Sequence, residues 1–303
     1  MNIDSVALII FNRPRHTEKI IKIIKKAKPK NFFLIADGPR ENNTDDLNKC
    51  KQSLNVVKSN IDWDCNLNEN ISKKNLGCKL RVSSGLDWVF QHTEKCIILE
   101  DDTLPNLSFF IFCEELLNLY KNNNNIGIIS GNNFLFKKIK IDDSYYFSKY
   151  VHIWGWATWR RVWLKYNVNA ESWPYFKKNN QLNKILKNKN EIIKWNKNLQ
   201  DVYEGKIDTW DYQLTLMCWK EKLLSIMPNK NLVSNIGFGS DATHTKSKNF
   251  LSNLENFKLN FPLKHPSKIQ MNVKADEFKS FLFNKKIGFR EKIVNYLRGI
   301  LNF

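Results

Sequence analysis

Over the first 135 residues, short apolar runs alternate with stretches whose apolar positions recur at helical spacing. Residues 6–11 are six apolar residues in a row, the pattern of a strand buried on both faces. Asn12 is then placed to cap a helix that has Pro14 in its first turn and Ile20, Ile23, Ile24 and Ala27 on one face, ending before Pro29. Residues 32–36 predict a second strand. Asp37-Gly38-Pro39 turns the chain, and Leu47, Cys50, Leu54 and Val57 form the stripe of the next helix. A third strand is predicted near residues 63–67. Beyond Asn75-Leu76-Gly77, a helix carries Val82, Leu86, Val89 and Phe90 on its core face. It is followed by a strand at 96–99, a helix through Phe109, Phe112, Cys113, Leu116, Leu117 and Tyr120, and a strand at 126–130.

Strand and helix in alternation mean βαβ units, whose right-handed crossovers give a parallel sheet with helices on both faces. Ligands of such sheets bind beyond the carboxyl ends of the strands. The rule singles out Asn12 and Arg13 after the first strand, Asp37 after the second, Glu100-Asp101-Asp102 after the fourth and Asn132-Asn133 after the fifth. From about residue 145 the alternation stops. Residues 153–159 (Ile-Trp-Gly-Trp-Ala-Thr-Trp) are aromatic and partly irregular, 177–206 are lysine-rich and helical in pattern, and 207–219 are apolar around one acid cluster.

The chain has 303 residues, 42% of them hydrophobic, with 10 Trp and 20 Phe. That is ample apolar surface to offset the entropy of ordering, so a disordered chain is excluded. Only 11 Gly and 8 Pro exclude collagen-like and linker-like chains. The net charge of +18 is uneven: +4 falls in residues 1–150 and +14 beyond. Such a field attracts polyanions, whether nucleic acid, an anionic membrane or phosphorylated substrates, although a solvated lysine surface has the same composition. Nucleic acid is not the expected partner, because no helix-turn-helix, ribonucleoprotein or zinc-finger pattern is present. The six cysteines show no metal-ligand spacing and several lie in apolar runs, as expected of reduced, buried thiols in a cytoplasmic protein. The first apolar run is too short for a signal or a membrane span.

There is no G-x-G-x-x-G and no P-loop, so a bound phosphate must be neutralised by something other than a glycine cradle. Glu100-Asp101-Asp102 offers the alternative. Three adjacent carboxylates repel one another unless a cation sits among them, and hard oxygen ligands select Mg²⁺ or Mn²⁺. The other reading is an acidic N-cap for the helix after Pro105. Asp208-Thr209-Trp210-Asp211-Tyr212 sets two carboxylates beside an indole, a setting for a general base, with helix capping the alternative for Asp208. Gly155 lets backbone approach a ligand between two indoles whose faces suit sugar rings, or the segment is simply core.

Strand followed by Glu-Asp-Asp resembles the D-x-D motif of GT-A-fold glycosyltransferases. Segments 8–13, 35–40, 105–110, 130–133, 154–159, 209–212 and 238–244 are similar, in the same order, to those of bacterial sugar transferases of the HlpA-like group, and more faintly to the N-acetylglucosaminyltransferase I family. The resemblance implies a GT-A, Rossmann-like α/β fold with a mixed, mainly parallel sheet and a C-terminal acceptor-side region. Residues 1–135 would be the nucleotide-sugar half, 136–250 the acceptor-side and catalytic half, and 251–303 a basic extension. It implies an inverting hexosyl- or N-acetylhexosaminyltransferase in polysaccharide biosynthesis, using Mn²⁺ or Mg²⁺, a nucleotide-diphospho-sugar donor (UDP-sugar expected) and a glycan or lipid-linked glycan acceptor. Asp102 matches the metal ligand, with Glu100 and Asp101 orienting metal and donor ribose. Arg13 and Asp37 match nucleotide contacts, Arg81 a residue near the diphosphate, Gly155 the acceptor-side glycine loop, Asp211 the base, and His244 a residue that touches metal or diphosphate. Asp37 also suits its own turn, Arg81 an ordinary surface charge, and His244 a surface histidine. A nucleotidyltransferase shares the sheet and the carboxylates, but the glycine-rich loop expected after its first strand is missing from Asn12-Arg13-Pro14-Arg15.

Residues 285–303 carry five basic side chains against Glu291, with Ile293, Leu297, Ile300 and Leu301 on one helical face. That pattern suits either a peripheral helix on the anionic inner membrane face or a closing helix docked on the domain.

Overall fold

The computed structural model describes residues 1–238, 251 and 254–284. The alternation of the first half closes into the parallel part of an eight-stranded sheet. In chain order its elements are β1 (Ser5–Ile10), α1 (Pro14–Ala27), β2 (Asn31–Ala36), α2 (Thr44–Asn60), β3 (Asn66–Ile71), α3 (Gly77–His92), β4 (Lys95–Glu100), β5 (Thr103–Pro105), α4 (Leu107–Leu119) and β6 (Ile126–Ser130). The second half adds β7 (Tyr145–Ser148), β8 (Trp156–Trp159), α5 (Arg160–Trp163), α6 (Trp173–Lys178), α7 (Gln181–Ile185), α8 (Lys189–Tyr203), α9 (Asp211–Lys220), β9 (Leu224–Pro228), β10 (Val233–Asn235) and α10 (Val273–Asn284). The sheet order is β3-β2-β1-β4-β8-β6-β9-β7, and β5 and β10 form a separate antiparallel pair.

Pairings β3–β2–β1–β4 and β6–β9 are parallel, while β8 runs antiparallel between β4 and β6, and β7 antiparallel to β9. This is a mixed, mainly parallel, Rossmann-like α/β sheet. On one side α1 packs with α2 and α4; α3 packs with α5 and against β1, β2 and β4. The main core gathers Val6–Leu8, Phe32–Ile35 and Ile97–Leu99 with Phe109, Phe112, Trp156 and Trp210, and a second core forms among α6, α7, α8 and α9 around Trp173, Phe176 and Leu199.

Several local expectations shift. Asn12 does not cap α1: Arg13 occupies the N-cap position without a side-chain cap bond, and Asn12 Nδ2 donates to Asp46 Oδ1 at 2.6 Å. The third strand lies beyond Trp63, whose buried indole donates to Pro29 O at 2.9 Å; β3 itself is a polar edge strand. Leu47 is exposed and Ser53 takes the buried place in α2. Residues 156–159, in a stretch expected to be only partly irregular, are the central strand β8. All six cysteines are free. Among the described residues no helix is long and apolar enough to cross a membrane. Residues 285–303 lie outside the described residues; the helix before them, α10, is held to the domain by Asp276, which accepts from Ser148 Oγ at 2.5 Å and Lys149 N at 3.1 Å.

Helix α3 lies tight against β2 because Gly85 has no side chain. A Cβ there would stand 2.6 Å from Ile35 Cγ2, in the fully buried core. Gly85→Ala is therefore expected to destabilise the fold by about 1–3 kcal/mol of overpacking, less the ~1 kcal/mol that alanine adds in helix propensity. Urea denaturation checks this: the midpoint falls with an unchanged slope, and a raised midpoint would show that β2 yields freely.

Candidate active site

Parallel pairing of β1 with β4 sets Ile9 opposite Glu100, so the residues following both strands meet at one edge of the sheet. Glu100 N donates to Thr103 Oγ1 and Thr103 Oγ1 donates to Glu100 O, both at 2.9 Å, which tightens the turn that presents Asp101 and Asp102. The acids do not cap α4, because β5 intervenes and Asn106 Oδ1 accepts from Ser108 N at 3.1 Å.

Arg13 Nη1 is 3.2 Å from Asp101 Oδ1 and 2.7 Å from Asp102 Oδ2. Asp101 is buried, and its other oxygen accepts from Phe11 N at 3.1 Å. Burial pushes the Asp101 carboxyl up to about 6, against the pull of Arg13. Burial also lifts Glu100 well above the carboxylate range, and Asp102, Asp101 and Asp211 add to the lift. Burial opposes the charge of Arg13, but Asp101 and Asp102 outweigh it and raise its pKa. Four carboxylates thus share one field with one guanidinium.

The segment after β10 crosses over this cluster. Ile236 N donates to Asp102 O at 2.8 Å, and a Cβ on Gly237 would come within 2.2 Å of Asp102 Oδ2. Only glycine leaves that carboxylate room. The Gly-Phe-Gly-Ser stretch at 237–240 is the sequence signal for it. Among the described residues no three metal-ligating groups converge on one point. The donor chemistry still fits a hard cation at Asp102, provided that ligand and water oxygens complete its shell. His244 lies outside the described residues.

Asp37 is buried at the end of β2 and builds the loop that precedes α3. Its carboxylate accepts from Gly38 N and Leu76 N, both at 2.9 Å, and from Asn75 Nδ2 at 3.0 Å. Burial raises its pKa against those bonds and against Arg81. Arg81 is not a surface charge: it is 5% exposed and donates to Asn70 Oδ1 at 2.7 Å, at the end of β3. Asn132 and Asn133 serve backbone. Trp154 N donates to Asn132 Oδ1 at 3.2 Å, and Asn133 Nδ2 donates to Pro228 O at 2.7 Å.

Asp208 caps a helix, but not the one that follows it. Its two oxygens accept from Cys78 N and Lys79 N at 3.0 Å each, so it closes the N-terminus of α3 from 130 residues away. Gly77, at φ +76°, makes room: a Cβ there would lie 2.7 Å from Asp208 Oδ2. Asp211 opens α9, and Thr209 Oγ1 donates to its Oδ1. Its Oδ2 takes no hydrogen bond among the described residues. Trp210 stacks on Trp156 with ring centroids 5.6 Å apart.

Gly155, at φ +69°, has a packing reason for its missing side chain: a Cβ would lie 2.7 Å from Val233 Cγ2. Its close approach is therefore to the core. Trp156 and Trp159 are core residues of β8, whereas Trp154 is half-buried and edge-on to Phe238 at 5.7 Å. The register Ile98↔Trp156 and Ser130↔Trp156 places Trp154 and Gly155 at the same sheet edge as the acids.

Asp208→Ala should free the Cys78 and Lys79 amides and cost about 0.5–2 kcal/mol, the usual loss of a cap. Amide hydrogen exchange reads it directly: both amides exchange faster in the variant, and unchanged protection would mean that the cap does not persist in solution.

No family model matches the chain. No curated protein matches it. Among solved structures it is similar to a crystal structure of UDP-glucose pyrophosphorylase complexed with UDP-glucose, with a TM-score of 0.33 and 9% identity, over 54% of this chain and 79% of that one.

Proposed function

We propose that this chain is an inverting glycosyltransferase that moves a sugar from a nucleotide-diphospho-sugar to a hydroxyl of a glycan or glycolipid. The observation that carries the reading is the Oδ2 of Asp211, which takes no hydrogen bond among the described residues and shares the field of the strand-end acids Glu100, Asp101 and Asp102. A base on one side and a cation-binding carboxylate on the other are what displacement at an anomeric carbon requires.

Asp211 accepts the proton of the acceptor hydroxyl at Oδ2, while the Thr209 hydroxyl holds Oδ1 and fixes the rotamer. Arg13 keeps Asp101 and Asp102 in place at the end of β4 and lies in position to meet donor phosphate. Asp102 would hold Mg²⁺ or Mn²⁺, which when bound would supply neutralisation of the charge that develops on the diphosphate. Arg81 and Asp37 shape the β2 and β3 loops toward the nucleotide. His244 is a proposed contact to metal or diphosphate, and Gly155 a backbone wall of the acceptor side.

Asp102→Ala should abolish Mn²⁺-dependent binding of UDP while leaving the circular dichroism unchanged. Calorimetry decides, and unchanged nucleotide affinity removes the metal assignment. Asp211→Asn should keep donor affinity and lower turnover by about 10²-fold or more, the scale of general-base catalysis. A fall below about tenfold moves the role to another group. Both variants are assayed with a panel of UDP-sugars and glycans. Release of UDP supports transfer of the sugar, whereas UTP formed from UDP-sugar and pyrophosphate would identify a nucleotidyltransferase instead.

A further inference from the structure

Away from the strand ends, α6, α7 and α8 form a lobe on the second core, and its surface is strongly basic. Residues 173–206 carry eight lysines against three acids, a net charge of +5, and one of those acids, Glu191, is buried. Lys187 is paired with Glu277 at 3.0 Å and Lys206 with Glu204 at 2.5 Å. Lys178, Lys184 and Lys189 are exposed and have no acidic partner among the described residues.

This lobe also holds a groove of about 490 Å³, lined by Trp173, Pro174, Lys177, Lys178, Gln200 and Tyr203. Its polar groups are held in place. Gln200 Oε1 accepts from Trp173 Nε1 at 3.0 Å and from Lys177 Nζ at 2.9 Å, while Gln200 Nε2 donates to Glu204 Oε1 at 2.7 Å. Tyr203 stands 45% exposed at its wall. An aromatic and proline wall with two ammonium groups beside it matches a ring with an apolar face and an anionic substituent. A solvated lysine surface would need neither the concavity nor the aromatic wall. The lobe is tied to the site as well: Asn198 Nδ2 donates to Tyr212 Oη at 3.0 Å, and Trp195 meets the Tyr212 ring at 5.4 Å, one residue after Asp211.

We propose that this groove binds an acidic glycan, one carrying carboxylates or phosphates on its sugar rings. On the transferase reading above, on which only this last step rests, that glycan is the acceptor, held at a distance from its reacting hydroxyl.

The test uses the full chain and measures binding, so that it does not depend on turnover. The probes are an oligogalacturonate, an uncharged maltooligosaccharide, inorganic polyphosphate, phosphatidylglycerol vesicles and a random single-stranded oligonucleotide. The variants are Lys177→Ala with Lys178→Ala, and Tyr203→Ala, all at surface positions and checked by circular dichroism. The oligogalacturonate is expected to bind at least about tenfold more weakly to both variants and to be favoured about tenfold over the uncharged sugar. Polyphosphate affinity should fall in the lysine variant and stay unchanged in Tyr203→Ala. The proposal is overturned if neither variant alters oligogalacturonate binding, or if only the lysines matter, which would leave a diffuse charge effect. It is also overturned if vesicles or the oligonucleotide bind more tightly than the glycan. Tyr203-dependent glycan binding by a chain that releases no UDP from any donor would keep the groove and remove the transferase.

Discussion

The candidate site depends on one guanidinium. Three consecutive carboxylates end β4, and the middle one is buried; an unpaired buried charge costs several kcal/mol. Arg13 meets that cost for two of them through a single nitrogen, and it can do so only because β1 and β4 are hydrogen-bonded neighbours whose ends coincide. The Glu100 carboxyl is left without a hydrogen-bond partner among the described residues, and burial with Asp102 and Asp101 nearby favours its neutral form. The cluster therefore carries negative charge in excess of the one cation, Arg13, that pairs with it among the described residues. That excess, rather than a preformed cage, is what the proposed metal ion would neutralise.

The second half of the chain reaches this edge through an inserted strand. β8 runs against the direction of its neighbours, and it brings Trp156 into the sheet opposite Ile98. Trp156 then stacks on Trp210, the residue before Asp211. An aromatic stack in the core thus sets the position of the proposed base relative to β4. Asp208 adds a second tie by capping α3, which begins where the Asp37 loop ends. Two contacts of unlike kind, one apolar and one charge-assisted, hold the short segment 208–211 across the edge of the sheet.

These two ties also mark the limit of what pattern reveals. Strands β1, β2, β4 and β6 were legible because they are buried on both faces and read as unbroken apolar runs. β3 was displaced by several residues because an edge strand with the sequence Asn-Leu-Asn-Glu-Asn-Ile has no such run, and the apolar signal came from Trp63 instead. β8 reads in sequence as partly irregular because its four residues are too few to show a period, and Trp154 and Gly155 precede it. The acids after β4, with Arg13 and Asp37, followed from strand-end position alone. The cap by Asp208 did not, since its partners are 130 residues away and nothing local distinguishes it from a cap of α9. Gly155 reads in sequence as room for a ligand, and the structure adds Val233 as a core neighbour that also needs its missing side chain; positive φ and missing bulk look alike in sequence whichever neighbour requires them.

The charge asymmetry of the two halves acquires a physical sense in this arrangement. Among the acidic groups of the first half, Asp101 is buried at the sheet edge beside Asp102, where salt screens their field little and it acts on whatever enters the crevice. Basic groups of the second half are exposed on the α6–α8 lobe, where salt screens them beyond roughly 8–10 Å but where they still raise the local concentration of anionic molecules. A partly buried anionic cluster and an exposed cationic lobe thus present fields of opposite sign at two places on the domain, the first favouring positive groups and the second negative ones. If both fields lay on one surface they would largely cancel. The lobe has a packed core of its own, tied to the rest of the domain through α9, through Tyr150 Oη, which donates to Glu191, and through Lys149 Nζ, which donates to Ile185 O, so the two fields act at separate places.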